Sequence, residues 1–261
     1  MDNILEKIIG VKKQELAQQK GNVNVATLER LLRDPLSRHS FRQSLADSPT
    51  GIIAEFKRKS PSRGWIFRDA KAEHIVPAYV DAGATALSIL TDEQFFGGSL
   101  IDLKTARQLA DIPLLRKDFI IDEYQLYQAQ VFGADVVLLI AAALSLAQTK
   151  ELAAKAHELG MEVLLEIHSE NELGHLNEYV DVVGINNRNL ATFHTDTQIS
   201  FTLGEKIPCE FLKISESGIS DVDTVKALRQ AGFRGFLMGE NFMKTDNPAQ
   251  TLAVFCKQLQ E

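Results

Sequence analysis

Val131-Phe-Gly-Ala-Asp-Val-Val-Leu-Leu-Ile140 joins the end of one helical pattern to the start of a β-branched, apolar run. Gly133 suits the left-handed position at which helices commonly end, and the run after it reads as a buried strand. The same junction recurs as Asp81-Ala-Gly-Ala84, Glu158-Leu-Gly-Met161 and Gln230-Ala-Gly-Phe233. The four glycines are spaced by 50, 27 and 72 residues. These are close to two, one and three units of about 25, the length of one strand plus one helix with tight loops. Working outward, strands are predicted at 52–57, 85–90, 113–117, 135–140, 162–167, 182–186, 211–215 and 235–238. Apolar residues recur at helical spacing over 72–82, 100–110, 123–132, 147–159, 170–177 and 222–231, with Val254 and Leu259 in a closing helix. The pattern is weakest after the sixth strand, at 195–203. Eight alternating units imply a closed parallel (β/α)8 TIM barrel with helices outside. An open doubly wound sheet is disfavoured because no GxGxxG follows the first strand.

The chain is expected to be one barrel domain, 1–261, with 1–50 a helical preface of two or three short helices across one barrel end. Within that preface Ile4, Leu5, Ile8, Ile9 and Leu16, interrupted by Glu6, Lys7, Lys12 and Lys13, trace an amphipathic helix and not a secretory leader. A length of 261 residues fits one such barrel, and a net charge of -7 opposes a nucleic-acid surface. The longest apolar stretch, 136–147, is too short for a membrane-spanning helix. Cys209 and Cys256 are too few for a disulfide framework and read as packing residues in a reducing compartment. A cytoplasmic protein with neither nucleic-acid nor membrane partner is expected, and a monomer is the simplest assembly.

In a parallel barrel the carboxyl ends of the strands and the loops after them build the active site. The first strand lies in Gly51-Ile-Ile-Ala-Glu-Phe-Lys-Arg-Lys-Ser-Pro-Ser62, where Glu55 and Lys57 share one face by the period of two. Later strand ends contribute Thr91-Asp-Glu93 with Phe95-Phe-Gly-Gly98, Arg116-Lys-Asp-Phe119, Glu166, Asn186-Asn-Arg188, Ser215-Glu-Ser-Gly218 and Gly239-Glu240. Lys57 and Lys117 have the chemistry of general acids or phosphate ligands, and Glu55 and Glu166 that of proton acceptors. Each alone is compatible with an interior ion pair. Four at three strand ends are better explained by catalysis, because burying ionisable groups is costly. Ser217-Gly218 precedes a capping-box pattern, Ser220 to Asp223, and Gly239 allows close approach of the backbone, so the last two turns suit a phosphate. Glycines needed only for positive φ are the plainer reading of these turns. Phe96 and Phe119 offer flat walls to an aromatic ring, or ordinary packing under a loop. Arg188, two residues after Asn186 on the same strand face, has a fork suited to a carboxylate, unless it is simply solvated. The six histidines show no metal-ligand spacing and read as packed or surface residues. Trp65 either closes over a ligand or anchors the first loop.

These segments, in order, resemble the indole-3-glycerol phosphate synthase family of tryptophan biosynthesis. The resemblance rests on Glu55-Phe-Lys57 through Ser60-Pro-Ser62, Leu90-Thr-Asp-Glu-Gln-Phe-Phe96-Gly-Gly-Ser99, Arg116-Lys117-Asp-Phe119 and Gly133 through Ile140. It continues through Leu165-Glu166-Ile-His168, Gly184-Ile-Asn186-Asn-Arg188-Asn-Leu190, Ser215-Glu-Ser217-Gly218-Ile219 and Phe236-Leu-Met-Gly239-Glu240. It implies a barrel lyase that closes a carboxyphenylamino-deoxyribulose phosphate to indole-glycerol phosphate, losing carbon dioxide and water, with no cofactor and no metal. It further implies that Lys117 protonates the substrate carbonyl, that Glu166 and Lys57 move protons around dehydration, and that Glu55 and Asn186 orient them. Ser60, Asn186 and Arg188 would hold the carboxylate side of the ring and Phe96, Phe119 and Leu138 its apolar faces. Lys57, Ser217, Gly218, Gly239 and Glu240 would hold the phosphate, Glu240 only through its backbone N–H. A phosphoribosylanthranilate isomerase-like enzyme, with a Cys and Asp pair, and a non-catalytic barrel scaffold are the alternatives. Against them, the first strand ends in Glu55 and Lys57 with no cysteine, and no ionisable strand-end residue is missing.

Overall fold

Each apolar run between glycine turns becomes a strand whose alternate side chains face two different cores. In the computed structural model, which describes residues 4–32, 39–189 and 192–261, eight parallel strands close into a barrel. They are β1 (Ile52–Phe56), β2 (Ala86–Leu90), β3 (Leu114–Lys117), β4 (Val136–Ile140), β5 (Glu162–Ile167), β6 (Val182–Asn186), β7 (Leu212–Glu216) and β8 (Phe233–Met238). Neighbours in sequence are neighbours in the barrel, and β8 closes it on β1 through Ile52 opposite Phe236 and Ala54 opposite Met238. Along β4, Val137 and Leu139 pack outward against helices, while Val136, Leu138 and Ile140 point inward. Along β1, Ile52, Ala54 and Phe56 face outward and Ile53 inward, which leaves Glu55 on the inner face. Gly51 opens β1 at φ +66, where a Cβ would lie 2.1 Å from the carbonyl oxygen of Arg234, so no other residue fits there unstrained.

Three helices precede the barrel: α1 (Ile4–Asn22), α2 (Val25–Leu31) and α3 (Phe41–Asp47). Residues 1–3 and 33–38 of the preface lie outside the described residues, as does Leu190. The preface covers both barrel ends, where one was expected. Phe41 and Leu45 of α3 are fully buried beneath Ile53 and Ala86, and Ser40 and Arg42 N bond Glu162 at the start of β5, which fixes α3 under the amino-terminal end. Leu5 and Ile8 of α1 instead join Phe95, Phe119 and Ile140 at the carboxyl-terminal mouth. At 19 residues α1 is also not short, and the apolar mouth is what pays for its length.

The barrel helices are α4 (Ala72–Asp81), α5 (Leu100–Leu109), α6 (Glu123–Phe132), α7 (Leu146–Glu158), α8 (Gln198–Gly204), α9 (Val222–Gln230) and α10 (Pro248–Gln260). Polar caps start five of them: Ser99, Asp122, Asp221 and Asn247 each accept a backbone N–H, and Ser145 forms a capping box with Gln148. The helix expected at 170–177 is a 3-10 segment, Glu170–His175, with no buried residue. Without an apolar stripe to bury, a full α-helix has little tertiary support there. Cys256 is buried as expected, but Cys209 is exposed in the turn before β7. Among the described residues no helix is long and apolar enough to cross a membrane.

Candidate active site

A cavity of about 360 Å³ opens at the carboxyl-terminal mouth, and every predicted site residue lines it. Its floor is charged. Lys57, just past β1, sets its Nζ 2.5 Å from Glu55 Oε1. Lys117, the last residue of β3, reaches across to two carboxylates, Glu166 Oε2 on β5 at 2.7 Å and Glu216 Oε2 on β7 at 2.6 Å. All five carboxylate and ammonium groups of these two clusters are at most 15% exposed, so they act on one another with little screening. Burial works against the charge of Lys117, but Glu166, Glu216 and Glu55 outweigh it and hold the ammonium charged well above the ordinary range. Burial likewise opposes ionisation of Glu166; Lys117, His168 and an amide hydrogen bond from Asn186 overcome it and bring Glu166 down to about 2. For Glu216 burial prevails, with Glu166 beside it, and the carboxyl is pushed up to about 7. One lysine thus holds two coupled glutamates, one firmly ionised and one that titrates near neutrality.

Two glycines make room for this floor. A Cβ on Gly184 of β6 would lie 2.2 Å from Glu216 Oε1, and one on Gly239 would lie 2.4 Å from Glu55 Oε1. Gly239 therefore serves first to admit Glu55. The turn after β7 has Ser217 at φ +66 and Gly218 at φ +76, both on the cavity wall. It is not the start of α9. The cap is Asp221, which accepts from Thr224 N at 2.8 Å, and not Ser220 as the capping-box pattern suggested.

The opposite wall is apolar. Phe96 and Phe119 stand 6.0 Å apart, tilted by 38°, with Leu138 and Ile140 below and Ile4, Leu5 and Ile8 of α1 above. α1 is pinned there by Lys12, buried, whose Nζ lies 2.9 Å from Asp92, 3.2 Å from Asp118 and 2.9 Å from Glu15. Burial again disfavours the charge, and Asp118 and Asp92 hold Lys12 protonated. Asp118 in turn accepts from Arg116 at 2.9 Å and from Thr91 at 2.6 Å.

Arg188 departs from its predicted placing. β6 ends at Asn186, and Arg188 sits in the following loop, bridged to Thr195. Its N–H donates to Asn186 Oδ1 at 3.0 Å; its guanidinium reaches Ser62 Oγ at 2.7 Å and Glu240 Oε2 at 3.5 Å. The Glu240 side chain also pairs with Arg63 at 3.1 Å, so its carboxylate is turned toward two arginines. Ser60 is buried in the small hairpin Lys59–Ser60 with Gly64–Trp65, and its Oγ accepts from Arg63 N at 3.3 Å. Trp65 is 49% exposed and outside the cavity; its ring covers Gly97 between Lys59 and Arg68, so it anchors the first loop. The sequence puts Glu216 at a strand end without a role, and it does not point to Lys12 or the apolar end of α1 as parts of the site. For Glu216 a signal existed: it stands two residues after the inward-facing Ile214 on β7. Among the described residues no group of three His, Cys, Asp or Glu side chains is arranged to hold a metal ion.

A closed eight-stranded barrel with ion-paired lysine and glutamate groups at its carboxyl-terminal mouth defines a (β/α)8-barrel protein with the groups that acid–base chemistry needs. The same fold is found in 3-hexulose-6-phosphate synthase from Salmonella typhimurium (TM-score 0.61, 15% identity, 81% of this chain and all of that one) and in a mutant tryptophan synthase α-subunit from Pyrococcus furiosus (0.61, 15%, 80% and 97%). Within that class the chain belongs to the indole-3-glycerol phosphate synthase family, whose model matches residues 5–255. It is 57% identical to the indole-3-glycerol phosphate synthase of Bacteroides thetaiotaomicron over the full length of both chains. It is 43% identical to that of Polaromonas naphthalenivorans, covering 97% of this chain and 98% of that one. For the enzyme of Neisseria meningitidis strain FAM18 the figures are 44%, 95% and 96%.

Proposed function

We propose that the chain closes 1-(2-carboxyphenylamino)-1-deoxy-D-ribulose 5-phosphate to indole-3-glycerol phosphate, releasing carbon dioxide and water, as a lyase of tryptophan biosynthesis. Family membership supports the reaction, and the contact of Lys117 with both Glu166 and Glu216 is the observation that carries the mechanism. The ring carbon that bears the carboxylate attacks the sugar carbonyl, whose oxygen must gain a proton as the bond forms. Lys117 supplies it: an ammonium held charged by carboxylates gives up its proton only to a base as strong as the developing alkoxide. Carbon dioxide then leaves, and its bonding pair restores the ring. In the last step the hydroxyl leaves as water, assisted by Lys57, while Glu166 removes the substrate proton whose loss completes the indole. Glu55 orients Lys57, and Asn186 orients Glu166. Phe96, Phe119 and Leu138 sandwich the ring, Ser60 and Arg188 hold its carboxylate, and Lys57 with the turns at Ser217, Gly218, Gly239 and the Glu240 N–H hold the phosphate.

A cytoplasmic setting follows from the substrate, because a multiply charged sugar phosphate is consumed in the compartment that makes it. The isomerase alternative gains no support from Cys209, which is exposed in the turn before β7. The test is direct: purified protein mixed with the aminodeoxyribulose phosphate at several pH values, with indole fluorescence followed in time. Product is expected; its absence across the pH range would overturn the reading, and isomerised substrate in its place would favour the isomerase.

A further inference from the structure

His168 has no part in the roles assigned above, yet it stands directly behind Glu166. Its Nε2 is 3.4 Å from Glu166 Oε1, and its Nδ1 is 3.5 Å from Glu172 Oε2. Glu172 also accepts the backbone N–H of His168 at 2.7 Å, which ties the strand end to the 3-10 segment. The ring is only 14% exposed, and neither nitrogen is locked in a hydrogen bond by a described residue. His168 is not among the described residues that line the active-site cavity. It lines a second one, of about 310 Å³, between the 3-10 segment and α8, together with Ser169, Glu170, Asp196, Gln198 and Lys206. Glu166 thus has the active site on one side and, through one imidazole, a separate cavity on the other, whose wall carries charged side chains beside Ile199 and Leu203.

The reaction gives such a connection a purpose, on the reading under Proposed function. The substrate's carboxylate departs as neutral carbon dioxide, and the carbonyl oxygen departs as water carrying two protons. One of these is the proton that the substrate's own skeleton loses; the other must come from solvent. Each turnover therefore takes up one proton while the substrate fills the mouth beneath α1. We propose that His168 is a positioning residue acting through Glu166, and that it relays solvent protons from the second cavity to Glu166 and its partner Lys117. Glu166 receives a proton from the imidazolium and the imidazole is reloaded from the second cavity, so no bond other than N–H and O–H changes.

The surroundings fit a ring that stays basic enough to load. Burial disfavours the imidazolium, but Glu172, Glu166 and Glu216 together outweigh it and raise the ring above its ordinary range. Glu170 and Asp196 add negative charge across the second cavity, and Lys206, paired with Glu170, is the opposing cation there.

The experiment uses the full-length protein and four forms: wild type, Glu166→Gln, His168→Ala and His168→Gln. Turnover, KM and their pH dependence are measured with and without added imidazole, and thermal unfolding is recorded on the same samples. Wild-type turnover that Glu166→Gln abolishes establishes the reading on which the proposal rests; failure there is failure of that reading and not of the relay. With it in place, His168→Ala should lose at least about tenfold in turnover, a fraction of what a direct acid or base contributes, with KM nearly unchanged. Imidazole, small enough for the vacated position, should restore several-fold of the loss, and more at a pH where it is partly protonated. His168→Gln, which keeps a polar side chain without a transferable proton at neutral pH, should be slow, stable and not rescued. Normal turnover in either His168 variant overturns the proposal. So does a slow but unrescued His168→Ala, which would mark the ring as packing. Should His168→Ala not fold, a stable His168→Gln decides alone: slowed turnover with a displaced pH profile supports the relay, and an unmoved profile overturns it.

Discussion

Replacing Lys117 by methionine keeps most of the apolar stem and removes the one cation shared by Glu166 and Glu216. At 2.7 Å and an effective dielectric constant near 20, each contact is worth about 6 kcal/mol of attraction before burial is counted. The variant does not lose that much, because a cheaper response exists. Glu216, pushed up to about 7 by burial and by Glu166, takes up a proton at little cost once Lys117 is gone, and Glu166 must take up a second. Protonating a carboxyl of ordinary pKa, about 4.3, at pH 7.5 costs about 4 kcal/mol, less than the lost attraction, so protonation wins and sets the destabilisation. The sign with pH follows. In the wild type the Glu166 pKa is depressed to about 2, so its stabilising contribution is present above the unfolded value and is lost as pH falls through the folded one. The gap between wild type and Lys117→Met should then be about 4 kcal/mol at pH 7.5 and shrink by about 1.4 kcal/mol per pH unit, to about 1 kcal/mol at pH 5. Urea unfolding at the two pH values measures it. On the same preparations turnover should fall at least about a hundredfold at pH 7.5, with KM changed less, because the ring walls and the phosphate turns are untouched. A stability gap that does not vary with pH would refute the electrostatic account of the floor. Near-normal turnover would refute the assignment of Lys117 as the acid of ring closure and leave Lys57 in that role.

Arg188→Ala should raise KM more than it lowers turnover, by the equivalent of about 1.5 to 3 kcal/mol for one charge-assisted hydrogen bond; an unchanged KM in steady-state assays would mark the arginine as a loop tether to Ser62 and Glu240 only. Lys12→Met leaves Asp92 and Asp118 without their shared ammonium and should cost about 3 to 5 kcal/mol in urea unfolding near pH 7, while raising KM because Ile4, Leu5 and Ile8 lose their anchor; full stability would show that the packing of α1 suffices. Gly239→Ala places a methyl group within 2.4 Å of Glu55 Oε1 and 2.9 Å of its Cβ, so Glu55 must move away from Lys57; turnover should drop about tenfold or more with the circular dichroism spectrum unchanged, and normal turnover would dismiss Glu55 as the group orienting Lys57.

The corrections to the sequence reading share a cause. Strand alternation and glycine turns are local, and they placed Glu55, Lys117, Glu166 and the final turns at strand ends whose approach follows from barrel closure alone. Cap choice at α9 and the conformation of Glu170–His175 depend on competition among nearby polar groups, where Asp221 outbids Ser220 and Glu172 is drawn to the His168 backbone. The course of the preface depends on surfaces distant in sequence: α3 needs the barrel floor at Ile53 and Ala86, and α1 needs Asp92 and Asp118 at the mouth.

The sequence by itself determined the eight-unit barrel, the inner face on which Glu55, Lys117 and Glu166 lie, and the residue types available for acid–base chemistry, because all of these follow from periodicity over a few residues. Only the tertiary structure decided which carboxylates Lys117 holds, that burial beside Glu166 raises the Glu216 carboxyl, and that His168 separates the active site from a second cavity. Ion-pair partners and protonation depend on separations of 2.6 to 3.5 Å between residues such as Lys12 and Asp118, 106 positions apart, and such distances exist only after the chain has closed on itself.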